Sequence, residues 1–192
     1  MSILNSKPIF DSSWALFLDR DGVINVESVG SYITSWDEFV FHDGVTDAMR
    51  SLSRVFGNIV VVSNQRGVGR GIMTMEALRE ISKNMRAVIA EHGGRIDRVY
   101  AATATNDDDH NRKPNTGMGL QAQEDFPKID FKKSVMVGNS MSDMEFGKRL
   151  SMHTIFLTTK HEPVTLPHDL IDEQYDSLYA WATRLIPAEL VG

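Results

Sequence analysis

The 192-residue sequence has no cysteine. That excludes disulfides and thiolate metal sites and fits a reducing compartment. It also lacks any apolar run near the roughly 20 residues a membrane-spanning helix needs, so no membrane partner is expected. An excess of base is missing too: 20 Lys and Arg stand against 26 Asp and Glu, a formal net charge of -6 with the signs scattered. Binding to a phosphate backbone usually needs a basic face, so nucleic acid is not expected as the main partner. The opening Met1–Pro8 lacks the charged segment and long apolar core of a signal peptide, and a cytoplasmic location is expected. There is no repeat, no low-complexity stretch and no clear linker, so residues 1–192 read as a single domain, a monomer by default. The glycines Gly67-Val-Gly69-Arg-Gly71 do not have G-x-G-x-x-G spacing, and no Walker lysine and hydroxyl pair follows, which excludes a nucleotide-binding loop.

What is present begins with the apolar run Trp14–Leu18, which ends in Asp19 and Asp21 with Gly22 after them. On a continuing strand these carboxylates would point to opposite faces. They converge on one metal or phosphate only if the backbone turns, as Gly22 permits; otherwise they are solvated turn acids. Residues 23–41, with Tyr32, Trp36 and Phe39, have no sustained period and read as an excursion or flap over the strand end. Its aromatics either cover a substrate or pin the loop to the core. Asp43-Gly44 opens a helix with apolar residues Val45, Ala48, Met49, Leu52, Val55 and Phe56, stopped by Gly57.

The β-branched run Asn58–Ser63 reads as a strand buried on both faces of a parallel sheet. Thr74 is placed as the N-cap of a helix with core positions Leu78, Ile81, Met85 and Val88 or Ile89. Further strands are expected at Val99–Ala102, Ser134–Gly138 and His153–Leu157, with helices from Pro114 through Phe126, before Leu150, and from Tyr175 to Ile186. Strands alternating with helices imply right-handed crossovers and a three-layer α/β fold around a parallel sheet.

Four positions at or after strand ends then carry reactive groups: Asp19 and Asp21; Ser63 and Asn64; Arg112 and Lys113; Asn139 and Asp143. Taken singly, Ser63 is a cap, Lys113 a surface base and Asp143 a helix-dipole partner. In a parallel sheet all lie along one edge, where ligands of open α/β sheets bind. Jointly they describe phosphoryl transfer: a carboxylate nucleophile, a second acid to exchange a proton, and a hydroxyl, amide and ammonium to hold the phosphoryl oxygens. Oxygen ligands without cysteine suit a hard cation such as Mg²⁺. Arg66 and Arg70 either clamp a second phosphate bidentately or stand as exposed turn arginines.

The motifs Asp19-Arg-Asp-Gly-Val-Ile-Asn25, Ser63-Asn-Gln65, Arg112-Lys-Pro114 and Gly138-Asn-Ser-Met-Ser-Asp143 resemble those of the haloacid dehalogenase superfamily. The closer likeness is to its histidinol-phosphatase-like branch, and there to phosphatases of heptose bisphosphates; it spans about Leu16 to Leu157. The resemblance implies a Rossmann-like core without a large cap domain and a Mg²⁺-dependent phosphatase acting on a small phosphorylated sugar. The 7-phosphate of a heptose 1,7-bisphosphate, in ADP- or GDP-heptose biosynthesis, is the substrate it implies. It makes Asp19 the nucleophile, Asp21 the general acid/base, Ser63 and Asn64 phosphoryl ligands, and Lys113 the charge stabiliser. Arg112 and the stretch from Glu27 to Gly30 fall to substrate contact, with Gln65 beside them, and Arg66 and Arg70 join them if they clamp a second phosphate. The metal falls to Asp19, the Asp21 carbonyl and Asn139, with Asp143 available directly or through water.

The sequence departs from that pattern twice. Residues 103–111 lack the cysteines of the family's zinc loop, so zinc is not expected, and Asp107-Asp108-Asp109-His110 reads as a solvated acidic loop that other packing must fix. Asn139 stands where the family usually has a metal-binding Asp, which brings an oxygen but no charge. Competing readings are a histidinol-phosphate phosphatase, a 3′-phosphatase of nucleic-acid ends, and a catalytically weakened phospho-sugar binding module.

Overall fold

In the computed structural model, which describes residues 8–28 and 30–185, each central strand divides its side chains between two apolar layers. Leu16 and Leu18 of β1 (Ala15–Leu18), Ile59 and Val61 of β2 (Asn58–Asn64) and Val135 and Val137 of β4 (Ser134–Gly138) face one layer. Phe17, Val60, Val62 and Met136 face the other. Side chains alternate along a strand, so a strand covered by helices on both faces must be apolar throughout. The first layer packs on α1 (Val45–Val55), α3 (Met75–Glu91) and α6 (Leu178–Leu185), and the second on α4 (Gly117–Asp125) and α5 (Met141–Arg149). Thr74 caps α3 by accepting from Ala77 N at 3.1 Å, and Ile89 rather than Val88 is the buried member of its stripe.

The six-stranded sheet runs β3-β2-β1-β4-β5-β6, with β3 at Arg98–Ala102, β5 at His153–Leu157 and β6 at Glu173–Tyr175. All pairs are parallel, and Leu18 lies between Val61 and Val137. The order reverses between β1 and β4, which leaves a crevice beyond their C-terminal ends, bordered by Asp19 and Asn139.

Several expectations need correction. β6 is a polar three-residue edge strand with no apolar signal; Glu173 pairs with His153 Nε2 at 3.0 Å and accepts from the Tyr175 hydroxyl at 2.6 Å. Tyr175 therefore belongs to a strand and α6 starts only at Leu178, while Ile186 lies outside the described residues. Pro114 lies in the turns before α4, which begins at Gly117, so Arg112 and Lys113 sit in loop rather than at a helix start. The turn after β2 contains a one-turn helix, α2 (Arg66–Gly69). The 23–41 excursion is pinned by its own aromatics: Trp36 stacks on Phe39 at 5.0 Å, and Phe41 meets Phe39 edge-on at 5.0 Å. Among the described residues no helix is long and apolar enough to cross a membrane.

Candidate active site

The chain turns where β1 ends. Gly22 has φ +81°, and a Cβ there would come within 1.9 Å of Asn139 Nδ2. The turn and the end of β4 thus touch only because residue 22 has no side chain. The Gly22→Ala protein is expected to lose about 1–2 kcal/mol from the left-handed backbone alone. It should also displace Asn139, seen as a lower urea midpoint together with weaker Mg²⁺ binding by calorimetry; an unchanged midpoint would refute the contact.

Lys113 is the centre of the site. Its ammonium, 1 % exposed, lies 2.9 Å from Asp19 Oδ1 and 2.6 Å from Asp143 Oδ1, and it donates to the Val62 carbonyl at 2.6 Å. Burial alone would lower the lysine, but the charges of Asp143 and Asp19 outweigh it and raise its pKa, so it stays charged. Asn64 sets its position by a two-way clasp: Lys113 N donates to Asn64 Oδ1 at 2.9 Å, and Asn64 Nδ2 donates to Lys113 O at 3.0 Å. Asn64, expected as a phosphoryl ligand, uses its oxygen and one N–H to position the lysine.

Asp19 Oδ1 also accepts from Arg20 N at 2.7 Å. Burial, and next the charge of Asp143, push its pKa up to about 7 against the pull of Lys113. Asp21 has the opposite character. Burial would raise it, yet the charge of Arg20 and hydrogen bonds from Arg20, Asn25 and Gln65 hold it below the usual carboxylate range. Arg20, itself only 2 % exposed, donates from Nη2 at 2.8 Å and 2.9 Å and from Nε at 3.2 Å; Asn25 donates at 3.0 Å and Gln65 at 2.8 Å. The two acids are thus shifted in opposite directions. Held ionised, Asp21 suits the base role directly, and acting as an acid requires it first to take up a proton against Arg20.

A cleft of about 230 Å³ is lined by Asp19, Asp21, Glu27, Asn64, Lys113 and Asn139, among others. Ser63 lies below it: the residue is buried and its Oγ accepts from Gln65 Nε2 at 2.8 Å. Asp143 is also withdrawn, since its Oδ2 accepts from Ser140 N and Oγ at 3.0 Å and 2.7 Å in a capping box for α5, and Oδ1 faces Lys113. Expected among the metal ligands, Asp143 has both oxygens committed to the lysine and the helix cap. Asn139 donates from Nδ2 to Glu27 Oε2 at 3.3 Å, and Glu27 Oε1 receives Lys160 at 2.8 Å. Gly30 is exposed and lies outside the lining, whereas Ser28, Ser31 and Tyr32 enter it.

The paired arginines are not those expected. Arg66 meets Arg112, both on the Asp107 carboxylate, while Arg70 donates to the Tyr32 hydroxyl at 2.9 Å. Sequence reasoning gives no role to Arg20, Asn25 and Lys160: the first two stand inside the first motif, and no local pattern marks Lys160. Asp107, expected in a solvated acidic loop, instead pairs with Arg66 and Arg112.

Among the described residues no three His, Cys, Asp or Glu side chains gather to hold a cation. The donors at Asp19, the Asp21 carbonyl and Asn139 are all oxygens, and a buried acid pushed up to about 7 is one that a cation would relieve. The residues present fit a hard divalent ion with a single carboxylate ligand.

The Asp pair and buried Lys at the switch point of a parallel sheet come from the motifs that resemble the haloacid dehalogenase superfamily. The chain belongs to that superfamily: residues 15–162 match the polynucleotide kinase 3 phosphatase family. It is 31 % identical to the D-glycero-D-manno-heptose-1,7-bisphosphate 7-phosphatase of Chlorobaculum tepidum over 92 % of this chain and 96 % of that one. It is 35 % identical to the D-glycero-beta-D-manno-heptose-1,7-bisphosphate 7-phosphatase of Yersinia pestis over 79 % and 83 %. In fold it is similar to the D,D-heptose 1,7-bisphosphate phosphatase of B. bronchiseptica, solved with magnesium and phosphate: TM-score 0.80, 24 % identity, 90 % of this chain and 97 % of that one. The expected fold and family are borne out, and the chain is a phosphoric monoester hydrolase.

Proposed function

We propose that this protein removes the 7-phosphate of D-glycero-D-manno-heptose 1,7-bisphosphate in a Mg²⁺-dependent reaction through an aspartyl phosphate on Asp19. The observation that carries the reading is the Asp19–Lys113–Asp143 arrangement at the sheet's switch point; the names of the relatives supply the substrate class. Asp19 attacks phosphorus, the bond to the sugar oxygen breaks, and that oxygen takes a proton from Asp21. Water then adds to phosphorus with Asp21 accepting its proton, which frees inorganic phosphate and restores Asp19. Lys113 neutralises charge on the transferring group, aided by the remaining Asn64 N–H, while Ser63 holds Gln65 from below the cleft. Asp19, the Asp21 carbonyl and Asn139 would hold Mg²⁺, which when bound would supply further charge neutralisation to the phosphoryl group. Glu27 and Lys160 at the cleft mouth contact the sugar, and Gln65 braces Asp21. The second phosphate is assigned to Arg66 and Arg112, whose sequence neighbours Gln65 and Lys113 line the cleft. The protein acts as a monomer in the cytoplasm, its cleft closed only by loops.

The test is phosphate release from heptose 1,7-bisphosphate, fructose 1,6-bisphosphate, histidinol phosphate and a 3′-phosphorylated oligonucleotide, with Mg²⁺ or with EDTA. Heptose bisphosphate is expected to give the highest kcat/KM and EDTA to abolish it. Asn139→Asp should lower the Mg²⁺ needed for half-maximal rate; an unchanged requirement would remove residue 139 from the ligand set. Preference for histidinol phosphate or the oligonucleotide would overturn the substrate, and tight binding without turnover would leave a binding module.

A further inference from the structure

Residues 103–111 are held by polar contacts. Asn115 Nδ2 donates to the carbonyls of Asp107 and Asp109 at 3.2 Å and 2.9 Å, and Asn111 N donates to Asp109 Oδ1 at 2.9 Å. These bonds fix the backbone without help from the Asp107 side chain. That carboxylate instead reaches the arginines on either side of the motif residues: Arg66 Nη2 and Arg112 Nε, the latter at 3.0 Å, share its Oδ1. Arg66 follows Gln65 and Arg112 precedes Lys113, and both of those neighbours line the catalytic cleft.

The balance within this cluster is unequal. Asp107 is 82 % exposed, whereas the Arg66 and Arg112 side chains are 23 % and 15 % exposed. Arg66 Nε and Arg112 Nη1 are buried with no acceptor. Two guanidiniums therefore offer more donors than one carboxylate oxygen takes up, and a buried donor left unpaired is costly. A phosphate monoester dianion, with three oxygens and twice the charge, would fill them better than a carboxylate. An exposed ion pair is also weakly held and readily exchanged.

We propose that Asp107 is an internal anion seated on the Arg66–Arg112 pair in place of the substrate's second phosphate, and that a bisphosphate must displace it to bind. This rests on the reading above that the substrate carries two phosphates. Asp107 then sets specificity: it taxes bisphosphates, whose apparent affinity falls with the fraction of molecules in which the arginines are free, and leaves monophosphates untaxed. The nearby charges are Asp108, Asp109 and His110 on the same loop, and Arg70, which is turned to Tyr32.

The test compares wild type, Asp107→Asn and Asp107→Ala with heptose 1,7-bisphosphate, and with p-nitrophenyl phosphate as the one-phosphate reference. If the seated state outweighs the free one by about ten to one, removing the charge raises the bisphosphate to p-nitrophenyl phosphate ratio of kcat/KM about tenfold, mostly through KM. Calorimetric titration of the bisphosphate into proteins that also carry Asp19→Asn should show the same tightening without turnover. An unchanged or lower ratio would overturn the proposal, and a lowered melting curve beside it would make Asp107 a strut. Arg66→Ala and Arg112→Ala separate the two ideas. A raised bisphosphate KM in both, with no gain in Asp107→Asn, defeats the internal anion alone. No effect in any of the four variants, or no bisphosphate bound at all, defeats the two-phosphate reading along with it.

Discussion

Asp19→Asn protein is expected to fold and to release phosphate at least about a thousandfold more slowly than wild type, the scale of loss when a nucleophile is removed. The amide keeps the shape of the acid and can still accept from Arg20 N, so the turn after β1 survives. Stability should move the other way. In the metal-free protein Asp19 is pushed up to about 7, above its unfolded value of 3.8, chiefly by burial. Between those values the native state binds more protons than the unfolded one, so wild-type stability falls as pH rises through the window. The asparagine carries no such term, and Lys113 keeps Asp143 as its partner. At pH 8 with EDTA the variant should melt at or above the wild-type Tm, and the difference should shrink toward pH 4. Residual turnover near the wild-type rate would end the nucleophile assignment; a Tm well below wild type at pH 8 would refute the electrostatic account.

Lys113→Met should cost the most stability. The ammonium is buried between two carboxylates, and its removal leaves Asp19 and Asp143 facing one another without a counter-charge. Breaking a buried pair by deleting one partner typically costs about 3–5 kcal/mol. Turnover should fall by at least about a hundredfold if, as proposed, Lys113 neutralises charge on the transferring group. Adding Asp143→Asn to Lys113→Met removes the excess negative charge and should recover part of the stability but none of the activity. Urea unfolding and phosphate release measure the two effects separately. A double variant no more stable than the single one would show that the loss comes from packing, not charge.

The contrast between these variants reflects what the sequence carried. β1, β2, β4 and β5 were legible because helices cover both faces of the sheet, which demands unbroken apolar runs, and α3 because Thr74 caps a regular stripe. β6 was not legible, since Glu173-Gln-Tyr175 sits at the edge and draws its order from His153 and the neighbouring strand. The start of α6 was placed at Tyr175 for the same reason. In the site, Asp19 and Asp21 announced themselves by position at a strand end, and Lys113 by its place in the Arg112-Lys-Pro114 motif. Their division of labour did not, because Arg20 sits between the two Asp in sequence but pairs with only one of them. Nor could spacing show that Arg66 faces Arg112 and not Arg70. That pairing joins two loops on either side of α3 and β3, and only the folded chain brings them to one carboxylate.

The two hydrogen bonds between Asn64 and the Lys113 peptide have a consequence for how this part of the molecule can change. They register the lysine to β2 itself, so its place does not depend on the course of the chain between β3 and Arg112. That stretch is insulated from the chemistry. It can change its residues or its length, and the ammonium keeps the same three partners. The site is thus modular: a fixed reacting centre anchored on the sheet, and beside it a loop free to be rebuilt for a different substrate.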